Sequence, residues 1–335
     1  MNSTSLPLAS VVMSVWNGET YLNQALESVR AQTFADFEFI VVDDGSTDGT
    51  PRLLAAHLAK DPRMVLFTHE NRGTASALNF ACSQARGKYL INLDADDVAL
   101  ATRFEKQMAF MEARPDIVLL GTGSRLVWAD GRPIRERIPP ADDASIRQEL
   151  LLRASICHTS IAMRRDAFAA TGGYRAAFKI GQDYDLFLRI ADHGKLANLE
   201  EVLVLHRIHG NQKTALLFEK AILAGIAAQV AARLRAERGS DDALFESDGP
   251  LSRAKLRQFG VSDKEMDEVT LIVLERHLTL ALSPDRPPES ERNAENFIAS
   301  VRQYCSRFDE KFLACGDFPL LAGVLNLKAS AEAAL

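Results

Sequence analysis

Apolar segments of two kinds alternate along roughly the first 120 residues of the chain. Short runs rich in valine and isoleucine are typical of buried strands, whereas an apolar residue at every third or fourth position is typical of amphipathic helices. Strands are predicted at residues 8–15, 37–42, 64–68, 88–93 and 117–120, and helices at 21–31, 50–59, 73–85 and 103–113. This alternation predicts βαβ units and an α/β fold whose mostly parallel sheet is flanked by helices.

The pattern changes twice further along the chain. Between about 121 and 213 it is mixed, with a hairpin of strands at 124–129 and 133–138 around Asp130-Gly131, helices at 144–153 and 183–191, and further strands at 161–164 and 202–207. Beyond 214 strand signals stop, and helices are predicted at 215–238, 262–282, 291–312 and 318–331, with a loop at 239–250. We therefore expect one domain at 1–213 and a helical C-terminal region without an assigned role at 214–335.

Polar residues follow three of the predicted strands, in segments 17–18, 43–44 and 94–97. Ligands of such sheets bind at the carboxyl ends of the strands, so these segments should open on one edge. Alternate residues of an extended segment share a face, which lets Asp94 and Asp96 point at one hard divalent cation. The alternatives are solvated acids in a loop, or an N-cap at Asp97 for the next helix. The sequence has neither a P-loop nor the Rossmann glycine fingerprint, so phosphate binding would fall to a metal and side chains.

Five other polar residues have both a chemical and a structural interpretation. Asp43 can accept a hydrogen bond from a nucleobase N–H or from ribose hydroxyls, although its neighbours also suit a plain capped loop. Asp183 and Asp185 lie at a predicted helix start, where they either cap the helix or supply a general base. His206 and His209 follow a strand and are candidates for a metal ligand, a phosphate contact or a structural role.

Composition narrows the class of protein. The chain has 335 residues, of which 47% are hydrophobic and 25% charged, and this is typical of a globular protein. Its net charge of −6 argues against a nucleic-acid partner. Scattered cysteines, no apolar run of about 18 residues and no secretory signal predict a cytoplasmic protein with reduced thiols. Peripheral contact with the inner face of a membrane is left open.

Six short motifs, taken in order, resemble family 2 glycosyltransferases of the GT-A fold, and the resemblance covers roughly residues 8–212. Each motif alone is weak, but six in the right order and spacing are specific. They are the first strand and loop at 9–18, the acidic strand end at 41–46, Asn71-Arg-Gly73 with 75–79, Asp94-Ala-Asp96, Gly172-Gly-Tyr174 with 182–186, and Arg207-Ile-His209.

The resemblance implies an inverting, single-displacement transfer of a sugar from a nucleotide-diphosphate sugar, with UDP favoured, to a hydroxyl acceptor. The expected setting is the synthesis of surface polysaccharide, lipopolysaccharide or a glycoconjugate. The expected partners are the donor and a saccharide, lipid-linked or other hydroxyl acceptor, and a homo-oligomer is left open.

The resemblance also implies roles for individual residues. Asp183 would be the catalytic base, and Mn²⁺ or Mg²⁺ would be bound by Asp96 with Asp94 and His209. Asp43 would contact the nucleotide base, Asp94 the ribose or the water shell of the metal, and His209 the metal or the diphosphate. The full set of donor contacts would be Val15, Asn17, Glu19, Asp43, Asp44, Arg72, Asp94, Ala95 and Asp96. The chain departs from the family at Gln182, where a Glu is usual, and this puts the acceptor contacts in doubt.

Two other classes of function need to be weighed. The same fold could carry a non-catalytic module that binds a nucleotide-sugar or a carbohydrate, although the intact Asp183 argues against it. A phosphatase of the haloacid type needs an acid pair after the first strand, where this chain has Trp16-Asn17. A nucleotidyltransferase usually needs a glycine-rich basic loop at the same place, and the sequence lacks one.

Overall fold

The computed structural model describes residues 6–209, 218–246 and 251–283, with some further positions between 295 and 306. The strands are β1 (Ala9–Val15), β2 (Phe37–Asp43), β3 (Met64–Thr68), β4 (Tyr89–Asn92), β5 (Val98–Ala99), β6 (Ile117–Trp128), β7 (Pro133–Arg137), β8 (Ala162–Arg164) and β9 (Lys195–Ile208). The helices of the first 209 residues are α1 (Leu22–Arg30), α2 (Thr50–Leu58), α3 (Thr74–Gln84), α4 (Arg103–Ala113), α5 (Asp143–Leu150), α6 (Arg165–Ala170) and α7 (Gln182–Ile190). Later helices are α8 (Phe218–Arg238), α9 (Asp242–Phe245), α10 (Arg253–Gln258) and α11 (Asp263–Ala281).

All of the strands in the described part of the chain belong to one sheet, in the order β3-β2-β1-β4-β8-β6-β9-β5, with β7 paired to β6. The N-terminal strands β3, β2, β1 and β4 are parallel, as predicted, and β6 pairs with β9 in parallel. The short strand β8 joins these two parallel parts through antiparallel pairing on both sides. Because Val15 is in register with Asp43, the loops after β1 and β2 leave the sheet at the same edge.

The sheet has a hydrophobic core on each face, which confirms the prediction of helices on both sides. One core contains α1 and α4 and takes Val11 and Met13 from β1. The other contains α3, α7 and α8 and takes Val12 from the same strand. Successive side chains of a strand point to opposite faces, so a continuous apolar strand such as β1 supplies both cores.

The sequence pattern was wrong about the extent of two strands. It predicted a strand at 117–120 and a separate one at 124–129, but β6 runs unbroken through Gly121 and Gly123. These glycines mark close contact with β9: a Cβ on Gly121 would lie 2.1 Å from the side chain of Asn198, and one on Gly123 would lie 2.8 Å from the carbonyl of Glu201. β9 itself begins at Lys195, well before the predicted start at 202, because it pairs with β6 along its length.

The C-terminal region is helical where it is described, and α8 packs against α7. The segment 239–250, predicted as a loop, contains the short helix α9. Within the described residues, no helix is both long enough and apolar enough to cross a membrane. Cys82 and Cys157 are buried thiols outside any disulfide, as predicted, and Cys305 is buried as well. The boundary at 213, Cys315 and the helix predicted at 318–331 lie outside the described residues, as does most of the helix predicted at 291–312.

Candidate active site

Hydrogen bonds from two residues that the resemblance placed in contact with the donor link the loops after β1 and β2. Asn17 adopts a left-handed backbone conformation with φ of 51°, and its side-chain oxygen accepts a hydrogen bond from Thr47 N at 2.8 Å. Asn17 N donates to Ser46 Oγ at 2.9 Å. The carboxylate of Glu19 accepts from Gly49 N. Both side chains therefore shape the loops, and a role in donor binding stays a prediction.

The adjacent acids at the end of β2 have different environments. Both acids are buried, but their hydrogen bonds differ. Asp44 accepts from Arg72 N at 2.8 Å and Gly73 N at 2.9 Å, which fixes the turn before α3. Asp43 accepts from Ser46 N at 3.0 Å through Oδ1. No described residue donates to its other oxygen. Asp43 is thus the acid of the two that keeps an acceptor for a ligand.

The remaining predicted donor contacts lie around this edge. Val15 is buried at the end of β1, and its carbonyl accepts from Asp44 N at 2.8 Å. The side chain of Arg72 is exposed in the turn before α3. Ala95 is half-buried between the two acids and packs against the core that contains α1.

Asp94 and Asp96 follow β4, but their carboxylates have different partners. Oδ2 of Asp96 lies 2.9 Å from Nε2 of His209, at the end of β9. Oδ1 of Asp94 accepts from Asn92 Nδ2 at 3.0 Å and lies 3.3 Å from Nδ1 of His158. Burial opposes ionisation of Asp94, yet the charge and hydrogen bond of His158 outweigh it, and the pKa of the Asp94 carboxyl is lowered. The two carboxylates therefore have different side-chain partners, and their binding of one shared cation stays a prediction.

A divalent cation can be tested against this donor set. Within the described residues, no group of three or more His, Cys, Asp and Glu side chains converges as a complete metal site. Asp96 and His209 do converge, and Mg²⁺-type cations commonly take only one or two protein ligands and complete their shell with water and substrate phosphates. The pair therefore fits a cation that is shared with a diphosphate.

Behind this pair, the acidic loop is anchored to β9. Arg207 N donates to Asp97 Oδ1 at 2.8 Å, and Arg207 Nε donates to the carbonyl of Asp96 at 3.0 Å. Asp97 is not an N-cap, because α4 starts after Thr102. Burial raises the pKa of the Asp97 carboxyl to about 7. Burial alone would lower the pKa of the nearby His206, but the negative charge of Asp97 raises it to about 10.

The two acids at the start of α7 also differ. The N-cap of α7 is Gly181, and neither acid caps the helix with its side chain, so the capping interpretation is wrong. Asp185 is buried and forms ion pairs with Arg189 at 2.6 Å and Arg175 at 3.2 Å. Asp183 is partly exposed, and no described residue forms a hydrogen bond or ion pair with its carboxylate. Asp183 is therefore the acid that remains available for chemistry.

Three residues that sequence reasoning did not single out join these parts. Asn79 receives the backbone N–H of Tyr174 at 2.8 Å and donates to its carbonyl at 2.7 Å, which ties α3 to the loop before α7. His158 lies between Tyr174 and Asp94. Asn79 and Tyr174 stand in segments that carried the family resemblance, whereas nothing in the sequence marked His158.

With this geometry in place, comparisons with known proteins decide the family. The model of glycosyl transferase family 2 matches residues 10–172. The O-antigen biosynthesis glycosyltransferase WbnJ of Escherichia coli is 31% identical over 224 residues, which cover 65% of this chain and 87% of WbnJ. The chain belongs to glycosyltransferase family 2. The amylovoran biosynthesis glycosyltransferase AmsE of Erwinia amylovora is also 31% identical, over 58% of this chain and 74% of AmsE.

Solved structures confirm the GT-A fold of this family 2 chain. TarS of S. aureus in complex with UDP-GlcNAc aligns with a TM-score of 0.58 and 15% identity, over 95% of this chain and 90% of that one. The mannosyltransferase PcManGT of Pyrobaculum calidifontis, in complex with GDP-Man and Mn²⁺, aligns with a TM-score of 0.51 and 17% identity, over 97% and 88%. At these identities the likeness establishes the fold alone.

Proposed function

We propose that this family 2 glycosyltransferase moves a sugar from a nucleotide-diphosphate sugar to a hydroxyl acceptor with inversion at the anomeric carbon. The acceptor oxygen bonds to the anomeric carbon as the bond to the diphosphate oxygen breaks, and the hydroxyl proton passes to a carboxylate. The observation that carries this proposal is the Asp183 carboxylate, which is partly exposed and has no partner among the described residues. An acid in that state at a helix start suits a general base.

The donor would lie across the edge formed by the loops after β1, β2 and β4. Asp43 would contact the nucleotide base with its second carboxylate oxygen, because its first is held by Ser46 N. Asp94 would contact the ribose, or water around the metal. We favour UDP as the nucleotide of the donor. TarS is solved with UDP and UDP-GlcNAc and PcManGT with GDP-Man, so both nucleotides belong in the test.

Asp96 and His209 would hold Mn²⁺ or Mg²⁺. When bound, such an ion neutralises charge on the diphosphate leaving group. The protein contributes the placement of these ligands: Arg207 holds the carbonyl of Asp96, and the same residue precedes His209 by two positions on β9. The names of WbnJ and AmsE support an acceptor in surface polysaccharide synthesis. We propose a cytoplasmic location for the protein, with peripheral contact at the inner face of a membrane.

The test is a panel of UDP-, dTDP- and GDP-sugars, assayed for nucleotide release and binding with Mn²⁺, with Mg²⁺ and with chelator. Asp183→Asn should lower turnover by about 10²–10⁴-fold while nucleotide binding is kept. Asp96→Asn should remove the metal dependence of nucleotide binding. Asp36→Asn, at an exposed residue remote from this edge, is the matched control and should behave as the wild type.

The possible outcomes lead to different conclusions about the function. Unchanged turnover in Asp183→Asn would remove that residue as the base. Metal-dependent binding of a nucleotide-sugar without turnover, with every acceptor tried, would favour the non-catalytic binding module. No binding of any nucleotide in the presence of metal would overturn the proposal itself.

A further inference from the structure

One buried histidine links the donor side of the site to the helix of the candidate base. The side chain of His158 is 10% exposed, and Nδ1 lies 3.3 Å from Oδ1 of Asp94. On the other side of the ring, Nε2 lies 3.0 Å from the hydroxyl of Tyr174. Nδ1 also lies 3.2 Å from Nδ2 of Asn92. A largely buried ring that has polar partners at both nitrogens is fixed in orientation, because rotation would break the contacts with Asp94 and Tyr174.

The partners of His158 are themselves held in place. Tyr174 is buried, and its main chain is bound at both N–H and C=O by Asn79. The ring of Phe187 lies 6.5 Å from that of His158, and Phe187 stands one helical turn after Asp183 on α7. His158 therefore contacts two elements that belong to the acceptor side of the proposed site.

The contact between His158 and Asp94 gives Asp94 and Asp96 different side-chain partners. Oδ1 of Asp94 accepts a hydrogen bond from Asn92 and lies at ion-pair distance from the His158 ring, which becomes a second donor when it is protonated, while Asp96 is left to pair with His209. A carboxylate with two donors on one oxygen keeps its second oxygen directed by them. Without His158, the Asp94 side chain, which is 39% exposed, would have one neutral amide donor and freedom to turn.

We propose that His158 is a positioning residue that fixes the Asp94 carboxylate for contact with the donor and leaves Asp96 and His209 as the cation pair. It acts through Asp94 and does not itself touch the substrate. This inference rests on the proposed function, because it assigns Asp94 to the donor. Partners that orient a ligand-binding group typically contribute about 10–100-fold in affinity or activity.

The experiment is a double-mutant cycle on binding of UDP and GDP in the presence of Mn²⁺, using the full chain and isothermal titration calorimetry. The variants are His158→Leu, Asp94→Asn and both together, with Tyr174→Phe as a second, milder change at the other ring nitrogen. His193→Leu, at an exposed histidine, is the matched control. Thermal unfolding of each variant separates lost folding from lost positioning.

We expect His158→Leu to raise the dissociation constant for the nucleotide by at least about tenfold. The double variant should bind the nucleotide no more weakly than whichever single variant binds it less tightly, because the effects of residues that act through one another are not additive. The KM for the donor should rise more than kcat falls. Tyr174→Phe should give a smaller effect of the same kind. Independent, multiplying effects in the cycle, or unchanged binding in Tyr174→Phe and in a folded His158→Leu, would overturn the inference alone. A wild-type protein that binds neither nucleotide would overturn the proposed function and the inference with it.

Discussion

Replacing Asp185 by Asn should destabilise the protein strongly, although the neighbouring Asp183 can be changed without that effect. The side chain of Asp185 is 1% exposed and that of its partner Arg189 is 5% exposed. Arg189 donates to Asp185 through Nε and Nη2, at 2.9 and 2.6 Å, and otherwise only to the carbonyl of Thr171 among the described residues. Burial already lowers the pKa of the Arg189 guanidinium, so this cation lacks much of its water.

The size of the effect follows from what Asp185→Asn leaves behind. Removing one member of a buried ion pair strands the other charge and costs about 3–5 kcal/mol. The third contact of Asp185, with Arg175, adds little, because Arg175 keeps two hydrogen bonds of 2.8 Å to Asp241. For a domain of roughly 200 residues this loss lowers the melting temperature by about 10 °C.

The assay is urea-induced unfolding followed by circular dichroism, with Asp183→Asn as the matched control on the same helix. Asp183 has no partner among the described residues, so its substitution should change the free energy of unfolding by less than about 0.5 kcal/mol. A loss under about 1 kcal/mol in Asp185→Asn, or equal losses in both variants, would refute the division of the two acids into one structural and one available carboxylate.

Three further predictions concern the edge of the sheet and the loop before α7. Burial alone would lower the pKa of His158, but Asp94 raises it to about 9. The stabilising contribution of His158 is thus complete below about pH 6.5 and is lost as the pH rises through 9, so the free energy of unfolding of the metal-free protein should fall over that range, and fall less in His158→Gln. Gly173→Ala should cost more stability than Gly172→Ala: both glycines have φ near +78°, but only at Gly173 would a Cβ meet Asn79, at 2.6 Å, and equal melting temperatures would contradict this. Asp43→Asn should weaken UDP binding by about tenfold or more, since a hydrogen bond to a charged group contributes about 1.5–3 kcal/mol, and calorimetry that shows wild-type affinity would remove Asp43 from the donor site.

The parallel half of the fold could be predicted from sequence, because buried parallel strands and amphipathic helices leave distinct periods of apolar residues. The extent of β6 could not, since its glycines were needed for close contact with β9, which is a property of the folded pair. The acidic segments at 43–44, 94–97 and 183–185 were identified from sequence, but the sequence could not say which acid in each segment stabilises the fold. Asp44 binds main-chain N–H groups, and Asp185 binds the buried Arg189 and the partly exposed Arg175. Those partners lie far away in the sequence or depend on burial, as does the environment of His158.

The two hydrogen bonds between the Asn79 side chain and the main chain of Tyr174 have an evolutionary consequence. These hydrogen bonds involve only the main chain of residue 174, so they do not depend on which side chain stands there or in the loop that follows. Within that loop, Ala176, Ala177 and Lys179 are exposed, whereas Phe178 and Ile180 are buried anchors. Relatives can therefore exchange the exposed positions without detaching the loop from α3, and this loop leads directly to the helix that carries Asp183. We expect new acceptor preferences to arise first at these three positions.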